Sequence, residues 1–86
     1  MSTFEQAQKD VNTLSEAPGN DDKLFLYAHF KQATKGDATG ARPGMFEMVA
    51  RAKYDAWAGL KGLSSADAEA KYVAKVQALL KRDGKA

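Results

Sequence analysis

The sequence predicts an all-α fold of four helices, and three observations support this prediction. Residue types that favour helices (Ala, Lys, Leu, Gln and Glu) are abundant, whereas the alternating β-branched runs that mark strands are not found in the sequence. Apolar residues recur at helical spacing in four stretches. Gly, Pro and Ser separate these stretches, as expected where helices end and begin. With 86 residues, the chain is expected to form a single domain, residues 1–86.

The first helix is predicted to begin at a capping box and to end at a turn signal. Thr3 and Gln6 have the capping-box spacing, and Pro18-Gly19 stops the helix. The residues that recur at helical spacing between these signals are Phe4, Ala7, Val11 and Leu14.

The second helix is expected to be capped by Asn20 or Asp21 and to stop at Gly36. Residues 36–44 read GDATGARPG, and three Gly and a Pro predict a long loop, a kind of segment that often carries function. A loop of this length allows the helices on either side to run in the same direction.

The third helix should start after Gly44, run to about Lys61 and end at Gly62. The fourth should open at Ser64 or Ser65, with acidic residues in its first turns. Its end is marked by basic residues that suit the helix dipole, namely Lys81, Arg82 and Lys85.

Charge is distributed unevenly, although the net charge is only +2. Residues 1–22 hold one Lys against five acidic residues, whereas residues 23–61 hold seven basic residues against three acidic ones. This asymmetry fits either solvated faces of different sign or a localised anion-binding patch, and charge alone does not decide between them.

Helix two is apolar on two sides. At 100° per residue, one side carries Leu24, Tyr27, Phe30 and Lys31, and the other carries Phe25, Leu26, His29 and Ala33. Packing in a small bundle accounts for the second side. A core or surface role is favoured over catalysis for His29, which is the single His of the chain. On the first side, two rings beside an ammonium group suit a flat anionic ligand better than a dry core.

Helices three and four each add one unusual polar group to an apolar stripe. On helix three, Lys53 lies in the middle of the stripe of Val49, Ala56, Trp57 and Leu60. It either extends along apolar neighbours to reach water or binds an anion together with Lys31. On helix four the inward stripe consists of Ala68, Tyr72, Val76 and Leu79. The Tyr72 hydroxyl either lies at the rim of the core or reaches a phosphate or sugar of a ligand.

The motifs YAHFKQATKG, ARPGM and AKYDAW resemble those of the acyl-CoA-binding protein family, and the similarity covers nearly the whole chain. The resemblance implies a four-helix up-down-down-up bundle that binds medium- to long-chain acyl-CoA and carries it as a soluble pool. It implies that the position of Phe30 stacks on adenine and that Tyr27, Lys31 and Lys53 hold the 3′-phosphate. The ligand-binding set that it predicts is Tyr27, Ala28, His29, Phe30, Lys31, Lys53 and Tyr72.

The sequence departs from the family pattern at two positions that matter for affinity. Asn12 and Val49 stand where many members place a ligand-contacting Lys. We therefore expect fewer electrostatic contacts to the phosphates, unless Lys9, Lys23 or Arg51 replaces them. Apolar groups expected near the acyl chain are Ala7, Leu24 and Met48.

Other classes of function are less well supported by the sequence. A nucleic-acid-binding module would gather its basic residues on one recognition helix, whereas a protein-interaction bundle would need an exposed apolar groove. The chain has no Cys, a single His and no metal-ligand cluster, so neither catalysis nor a cofactor is expected. Because no apolar run approaches the ~18 residues of a membrane span and the first residues are polar, we expect a cytoplasmic monomer without stable membrane insertion.

Overall fold

The structure is a computed structural model that describes residues 3–84. Within these residues it contains four α-helices and no strand, as predicted. The helices are α1 (Phe4–Asp10), α2 (Asn20–Lys35), α3 (Met48–Ala58) and α4 (Ser65–Arg82), and a 3₁₀ turn at Val11–Thr13 follows α1.

Helix α1 begins as predicted but ends earlier. The Gln6 backbone N–H donates to Thr3 Oγ1 over 3.0 Å, which confirms Thr3 as the cap. The chain then tightens into the 3₁₀ turn, where Thr13 Oγ1 donates to the Asp10 carbonyl (2.7 Å) and Asn12 Nδ2 donates to the Gln8 carbonyl (3.2 Å). Such side-chain bonds to carbonyls offer the backbone an alternative to further helix.

The predicted cap of α2 was wrong, and its predicted end is confirmed. Gly19 is the capping residue, with extended φ and ψ of −64° and 168°, and Asn20 is the first residue inside the helix. The Gly19 carbonyl accepts from the Lys23 amide N (2.9 Å) and thereby starts the helical bonding. At the other end, Gly36 has φ +80°, which glycine adopts readily, and its N–H donates to the Gln32 carbonyl.

Helix α3 is shorter at both ends than the sequence predicts. Residues 44–47 form a separate turn, in which the Glu47 amide N donates to the Gly44 carbonyl (3.0 Å) and Glu47 Oε2 accepts from the Gly44 amide N (3.1 Å). After Ala58 the chain continues in tight turns, with the Leu60 amide N donating to the Trp57 carbonyl. These local bonds use backbone groups that a longer helix would have paired along its axis.

Helix α4 follows its prediction closely. Ser64 caps it, because the Ser64 hydroxyl accepts from the Asp67 amide N (3.1 Å). The helix ends at Arg82, and the predicted contribution of Lys85 lies outside the described residues. All four residues of the predicted inward stripe are buried: Ala68, Tyr72, Val76 and Leu79.

Helix α2 is central, since it packs against both α3 and α4, while α1 packs against α4. In residues 3–84, α2 is the one helix that contacts α3. The buried core cluster is formed by Ala7, Leu26, Tyr72, Val76, Leu79 and Leu80. Helix α3 adds only Trp57 to the buried residues, and its predicted apolar stripe is wrong at Val49, which is 70% exposed. Because α3 rests on one neighbour, a groove opens along its contact with α2.

Ion pairs join α2 to α4 outside the core. The Asp22 carboxylate lies 3.3 Å from Lys75 Nζ and 3.1 Å from Arg82 NH2. Hydrogen bonds from Arg82 and then Lys75 lower the pKa of Asp22 below its ordinary value of 3.8. None of the helices in the described part of the chain is long and apolar enough to cross a membrane.

Candidate functional site

A cavity of about 450 Å³ lies between α2 and α3. Tyr27 and Lys31, one helical turn apart on α2, supply one wall, and Lys53 and Trp57, with the same spacing on α3, supply the opposite wall. The other lining residues are Pro43, Val49, Ala50 and Tyr54. The fold therefore brings together three of the predicted ligand-binding residues: Tyr27, Lys31 and Lys53.

Each of the two lysines of this cavity extends from its own helix to an aromatic ring of the other helix. Lys31 Nζ, from α2, lies 4.9 Å from the centroid of the Trp57 ring on α3. Lys53 Nζ, from α3, lies 5.3 Å from the centroid of the Tyr27 ring on α2. Both distances are within the range of cation–π attraction, so each ring holds the ammonium of the opposite helix in place.

Neither ammonium has a carboxylate partner in residues 3–84, where the ion pairs involve Arg42, Lys75 and Arg82. An aromatic face attracts a cation but does not neutralise it. Lys31 and Lys53 therefore present two uncompensated positive charges and flat rings in one cavity, an arrangement that suits a phosphate attached to an aromatic group.

A second groove of about 310 Å³ adjoins the cavity and shares Val49 and Lys53 with it. Its remaining lining residues are Asn20, Lys23, Leu24, Met48 and Ala52. Leu24 and Met48, two of the three apolar groups expected near an acyl chain, thus lie beside the positively charged cavity. The third, Ala7, is fully buried in the core cluster and lies apart from this groove.

Phe30 and Tyr72 belong to a cluster of three rings that lines neither the cavity nor the groove. The Phe4 ring is 5.9 Å from Phe30 and 5.1 Å from Tyr72, the latter in an edge-to-face arrangement. Phe30 is partly exposed, whereas Tyr72 is 6% exposed, and burial raises the pKa of its hydroxyl above the usual value. The Tyr72 hydroxyl therefore stays protonated at neutral pH and is able to donate a hydrogen bond.

Ala28 and His29 lie away from the cavity of Tyr27 and Lys31. Ala28 is 2% exposed and His29 is 4% exposed. The His29 ring stacks on Phe25 at 4.0 Å, and its Nδ1 lies 2.7 Å from the Phe25 carbonyl O. Because a carbonyl only accepts, Nδ1 carries the proton and donates it. The expected core role of His29 is confirmed, while ligand contact by Ala28 and His29 stays a prediction.

Comparisons with known proteins place these features in a family. The sequence model of the family named "Acyl CoA binding protein" matches residues 1–76 of this chain. The chain belongs to the acyl-CoA-binding protein family. Acyl-CoA-binding domain-containing protein 6 of Arabidopsis thaliana is 49% identical over 77 residues, which are 90% of this chain and 84% of that protein. Acyl-CoA-binding protein homolog 1 of Caenorhabditis elegans is 46% identical over 82 residues, 95% of each chain.

Solved structures of this family have the same fold. The crystal structure of Oryza sativa acyl-CoA-binding protein 2 superposes with a TM-score of 0.89 at 42% identity and covers 94% of this chain and 88% of its own. The crystal structure of ACBP from Moniliophthora perniciosa superposes with a TM-score of 0.88 at 38% identity, and the match covers 96% of this chain and 84% of that chain. The predicted all-α, four-helix up-down-down-up fold of acyl-CoA-binding proteins is thereby confirmed.

Several residues that shape this candidate site were missed by sequence reasoning. Arg42 forms a two-pronged pair with Asp55, with distances of 2.8 Å from Nε and 2.6 Å from NH2 to the carboxylate oxygens. Hydrogen bonding to Arg42 lowers the pKa of Asp55. Tyr54 OH donates to the Gly40 carbonyl (3.0 Å) and Trp57 Nε1 donates to the Gly36 carbonyl (2.7 Å). These bonds hold the loop of residues 36–47 against α3.

Asp37 joins the start of this loop to the turn after α3. Its Oδ1 accepts from the Gly62 backbone N–H (2.9 Å) and from Gln32 Nε2 (2.8 Å), and these two bonds, Gly62 first, lower the pKa of Asp37. Gln32, 1% exposed, also donates to the Leu63 carbonyl over 2.9 Å. Gln32 is a polar residue within the largely apolar sequence of helix two. This was the signal that could have marked it as a buried residue with hydrogen bonds to other segments.

Proposed function

We propose that this protein binds medium- to long-chain acyl-CoA thioesters and carries them as a soluble cytoplasmic pool, without a cofactor and without converting them. The observation that carries the proposal is the crossed pair of Lys31 on Trp57 and Lys53 on Tyr27. This pair offers two unpaired ammonium groups and flat rings in one cavity, and an apolar groove adjoins it. Family membership supports the same assignment.

The headgroup would bind through charge and stacking. Each hydrogen bond from Lys31 or Lys53 to a phosphate contributes about 1.5 to 3 kcal/mol. Phe30, directly before Lys31 on α2, is a partly exposed ring and is the proposed stacking partner of adenine. The buried Tyr72 hydroxyl, protonated at neutral pH, is a candidate donor to the nucleotide end.

The acyl chain would lie in the apolar groove beside Leu24 and Met48. Burial contributes about 0.8 kcal/mol for each CH₂ group, so a chain that fills the groove would contribute several times the energy of one phosphate contact. Affinity should therefore increase with chain length until the groove is full.

The proposal involves neither a metal nor catalysis. Within residues 3–84 no group of three or more His, Cys, Asp or Glu side chains is placed to hold a metal ion. His29 is buried and bonded to Phe25, on the side of α2 away from the lysines, so the single His of the chain does not line the cavity. We propose a carrier role without catalysis, as a monomer that does not bind nucleic acid.

Isothermal titration calorimetry of the purified protein with palmitoyl-CoA tests the proposal, with free CoA and palmitate as separate controls. We expect one-to-one binding of the thioester, and much weaker binding of either half, because headgroup and chain contribute separately. If palmitoyl-CoA produced no heat and did not compete with a fluorescent acyl-CoA, the carrier function would be rejected. A protein-interaction module would then be the better assignment.

A further inference from the structure

A further cavity, of about 610 Å³, lies on the side of α2 away from Lys31 and Lys53. It is lined by Phe25 and His29 of α2, by Lys71 of α4 and by residues 59–63, which form the turns after α3. It shares no lining residue with the cavity of Lys31 and Lys53 or with the groove beside that cavity. Its volume is typical of sites for small molecules. We call it the His29 cavity.

The turns after α3 form an ordered wall of the His29 cavity. Within this wall the Leu63 backbone N–H donates to the Leu60 carbonyl over 2.9 Å. Gln32 Nε2, from α2, donates to the Leu63 carbonyl (2.9 Å), and the Gly62 backbone N–H donates to Asp37 Oδ1 (2.9 Å). Hydrogen bonds thus hold the wall in place without a ligand, as is usual for small-molecule sites.

His29 presents an unused polar atom to this cavity. Its side chain is 4% exposed, and its Nδ1 donates to the Phe25 carbonyl over 2.7 Å. The other ring nitrogen, Nε2, has no hydrogen-bond partner in residues 3–84. With the proton on Nδ1, Nε2 of the neutral ring is an acceptor. Since polar atoms of buried side chains usually have a partner, a ligand that donates from an O–H or N–H group would complete the bonding of this ring.

The lysines of the His29 cavity carry unpaired positive charge. Lys61 and Lys71 line the cavity, and no acidic residue does. Neither lysine forms an ion pair within residues 3–84. Asp37 is influenced by the charge of Lys61 but lies beyond ion-pair distance, and the nearby Lys75 is already paired with Asp22 at 3.3 Å. The two free ammonium groups therefore complement an acid group of a ligand.

Apolar side chains complete the lining. Leu60 and Leu63 contribute from the turns after α3, and the Phe25 ring contributes from α2. A bare inorganic anion would leave these groups without contact, whereas a hydrocarbon would leave the lysines and His29 Nε2 without partners. The lining therefore suits a ligand that has an acid group, a hydrogen-bond donor and an apolar part.

We propose that the His29 cavity is a second ligand site, which binds a small amphipathic acid that carries a hydrogen-bond donor next to its acid group. The acid group binds Lys61 and Lys71, and the donor binds Nε2 of His29. The apolar part packs against Leu60 and Leu63. A 2-hydroxy acid with an apolar substituent has this chemistry. The second site does not depend on the proposed function, because it uses none of the residues assigned to the acyl-CoA headgroup or chain.

NMR titration of the ¹⁵N-labelled protein with 3-phenyllactate tests the proposal. This probe has a carboxylate, a hydroxyl group next to it and an apolar ring. We expect saturable shifts of the backbone amide signals of Gly62, Leu63 and Lys71, and none for Lys53 on the other side of α2. The uncharged 3-phenyllactamide should bind roughly fivefold more weakly or worse, because it loses the attraction to two ammonium groups. Equal binding of acid and amide would overturn the proposal.

The imidazole ¹⁵N signals test the contact with His29 directly. The chain contains a single His, so these signals belong to one ring. While the ring is neutral, 3-phenyllactate should shift the Nε2 signal, because Nε2 gains a hydrogen bond. The acid 3-phenylpropionate, which lacks the hydroxyl group, should leave that signal in place and bind roughly two- to tenfold more weakly. An equal shift of the Nε2 signal with both acids would overturn the assigned role of His29.

Two lysine variants separate a contact in the cavity from positive charge in general. Lys71→Gln should weaken binding of 3-phenyllactate roughly two- to fivefold, as expected for loss of an exposed ion pair. Lys81→Gln removes the same charge from the same helix, at a position that does not line the cavity, and should leave the affinity unchanged. Both side chains are exposed, so both variants should fold. Equal losses in the two variants would overturn the proposed site.

Palmitoyl-CoA distinguishes this site from the site of the proposed function. Protein saturated with palmitoyl-CoA should bind 3-phenyllactate with unchanged affinity, since the two cavities share no residue. Displacement of the probe by palmitoyl-CoA would overturn the proposal, as would the absence of saturable shifts at Gly62 and Leu63. A protein that binds palmitoyl-CoA but not the probe would refute the second site alone, and the reverse result would refute the proposed function alone.

Discussion

Replacing Lys53 by Ala should weaken headgroup binding while leaving the fold nearly intact. Lys53 is exposed on α3, and its ammonium makes one described contact, to the Tyr27 ring 5.3 Å away. The cation–π attraction at an exposed site contributes about 0.5 to 1 kcal/mol to stability. This is a small part of the roughly 5 to 15 kcal/mol that holds a domain folded, so Lys53→Ala should remain folded.

The expected loss of binding is larger than the loss of stability. A charge-assisted hydrogen bond to a phosphate contributes about 1.5 to 3 kcal/mol, or roughly 10- to 150-fold in the dissociation constant. Lys31 remains on the other wall of the cavity and keeps part of the attraction. The loss should therefore be measurable and incomplete.

A thermodynamic cycle with two proteins and two ligands isolates the contact between Lys53 and the 3′-phosphate. Wild type and Lys53→Ala are each titrated with CoA and with 3′-dephospho-CoA. If Lys53 binds the 3′-phosphate, removing that phosphate costs the wild type about 1.5 to 3 kcal/mol more than it costs the variant. Lys71→Ala, which removes an equal charge from the exposed surface of α4, controls for net charge and should resemble the wild type.

Two results would refute this reasoning about Lys53. Equal losses on removal of the phosphate from both proteins would show that Lys53 does not contact it. Unfolding of Lys53→Ala, with unchanged affinity in the folded fraction, would show that the lysine is structural. Lys53→Arg should recover most of the affinity, because charge and donors are retained.

Three further predictions concern stability and are measured by urea denaturation. Trp57→Phe should lose about 1 to 3 kcal/mol, because the Gly36 carbonyl loses the 2.7 Å bond from Nε1, and an unchanged midpoint would contradict this. Val76→Ala should cost about 2 kcal/mol, since Val76 is fully buried, and a cost near zero would mean that the core collapses into the space. Because the pKa of Asp22 is lowered in the folded state, the ionised carboxylate stabilises the fold above about pH 3.8, and this stabilisation is lost as pH falls through the folded pKa. Asp22→Asn should therefore be less stable than the wild type at neutral pH and should lose less stability on acidification. Parallel plots of stability against pH for the two proteins would refute this.

The parts of the fold that depend on local signals could be predicted from the sequence. The caps at Thr3 and Ser64 and the stop at Gly36 each involve residues within one helical turn, and all three are present in the structure. The ends of α1 and α3 could not be predicted in this way. They depend on which side chains bond to backbone carbonyls or amides, as Thr13 and Glu47 do, and those bonds compete closely with further helix.

The candidate site was predictable as a set of side chains but not as a geometry. Helical spacing placed Tyr27 beside Lys31, and the apolar surroundings of Lys53 marked it as unusual. That each ammonium lies over a ring of the opposite helix depends on how closely α2 approaches α3, which spacing along one chain does not determine. The bond from Trp57 to Gly36 spans 21 residues and was missed for the same reason.

The way α3 is attached explains why this site can be both open and ordered. Helix α3 contacts α2 but no other helix in residues 3–84, so its packing on the bundle comes from one side. The bonds of Asp55 to Arg42 and of Trp57 to Gly36 hold it from the loop side and leave the side facing the groove uncovered. A phosphate bound by both Lys31 and Lys53 would join α2 to α3 across the cavity. Binding energy would thus strengthen the one helix contact that holds α3 in residues 3–84, and ligand and fold would stabilise each other.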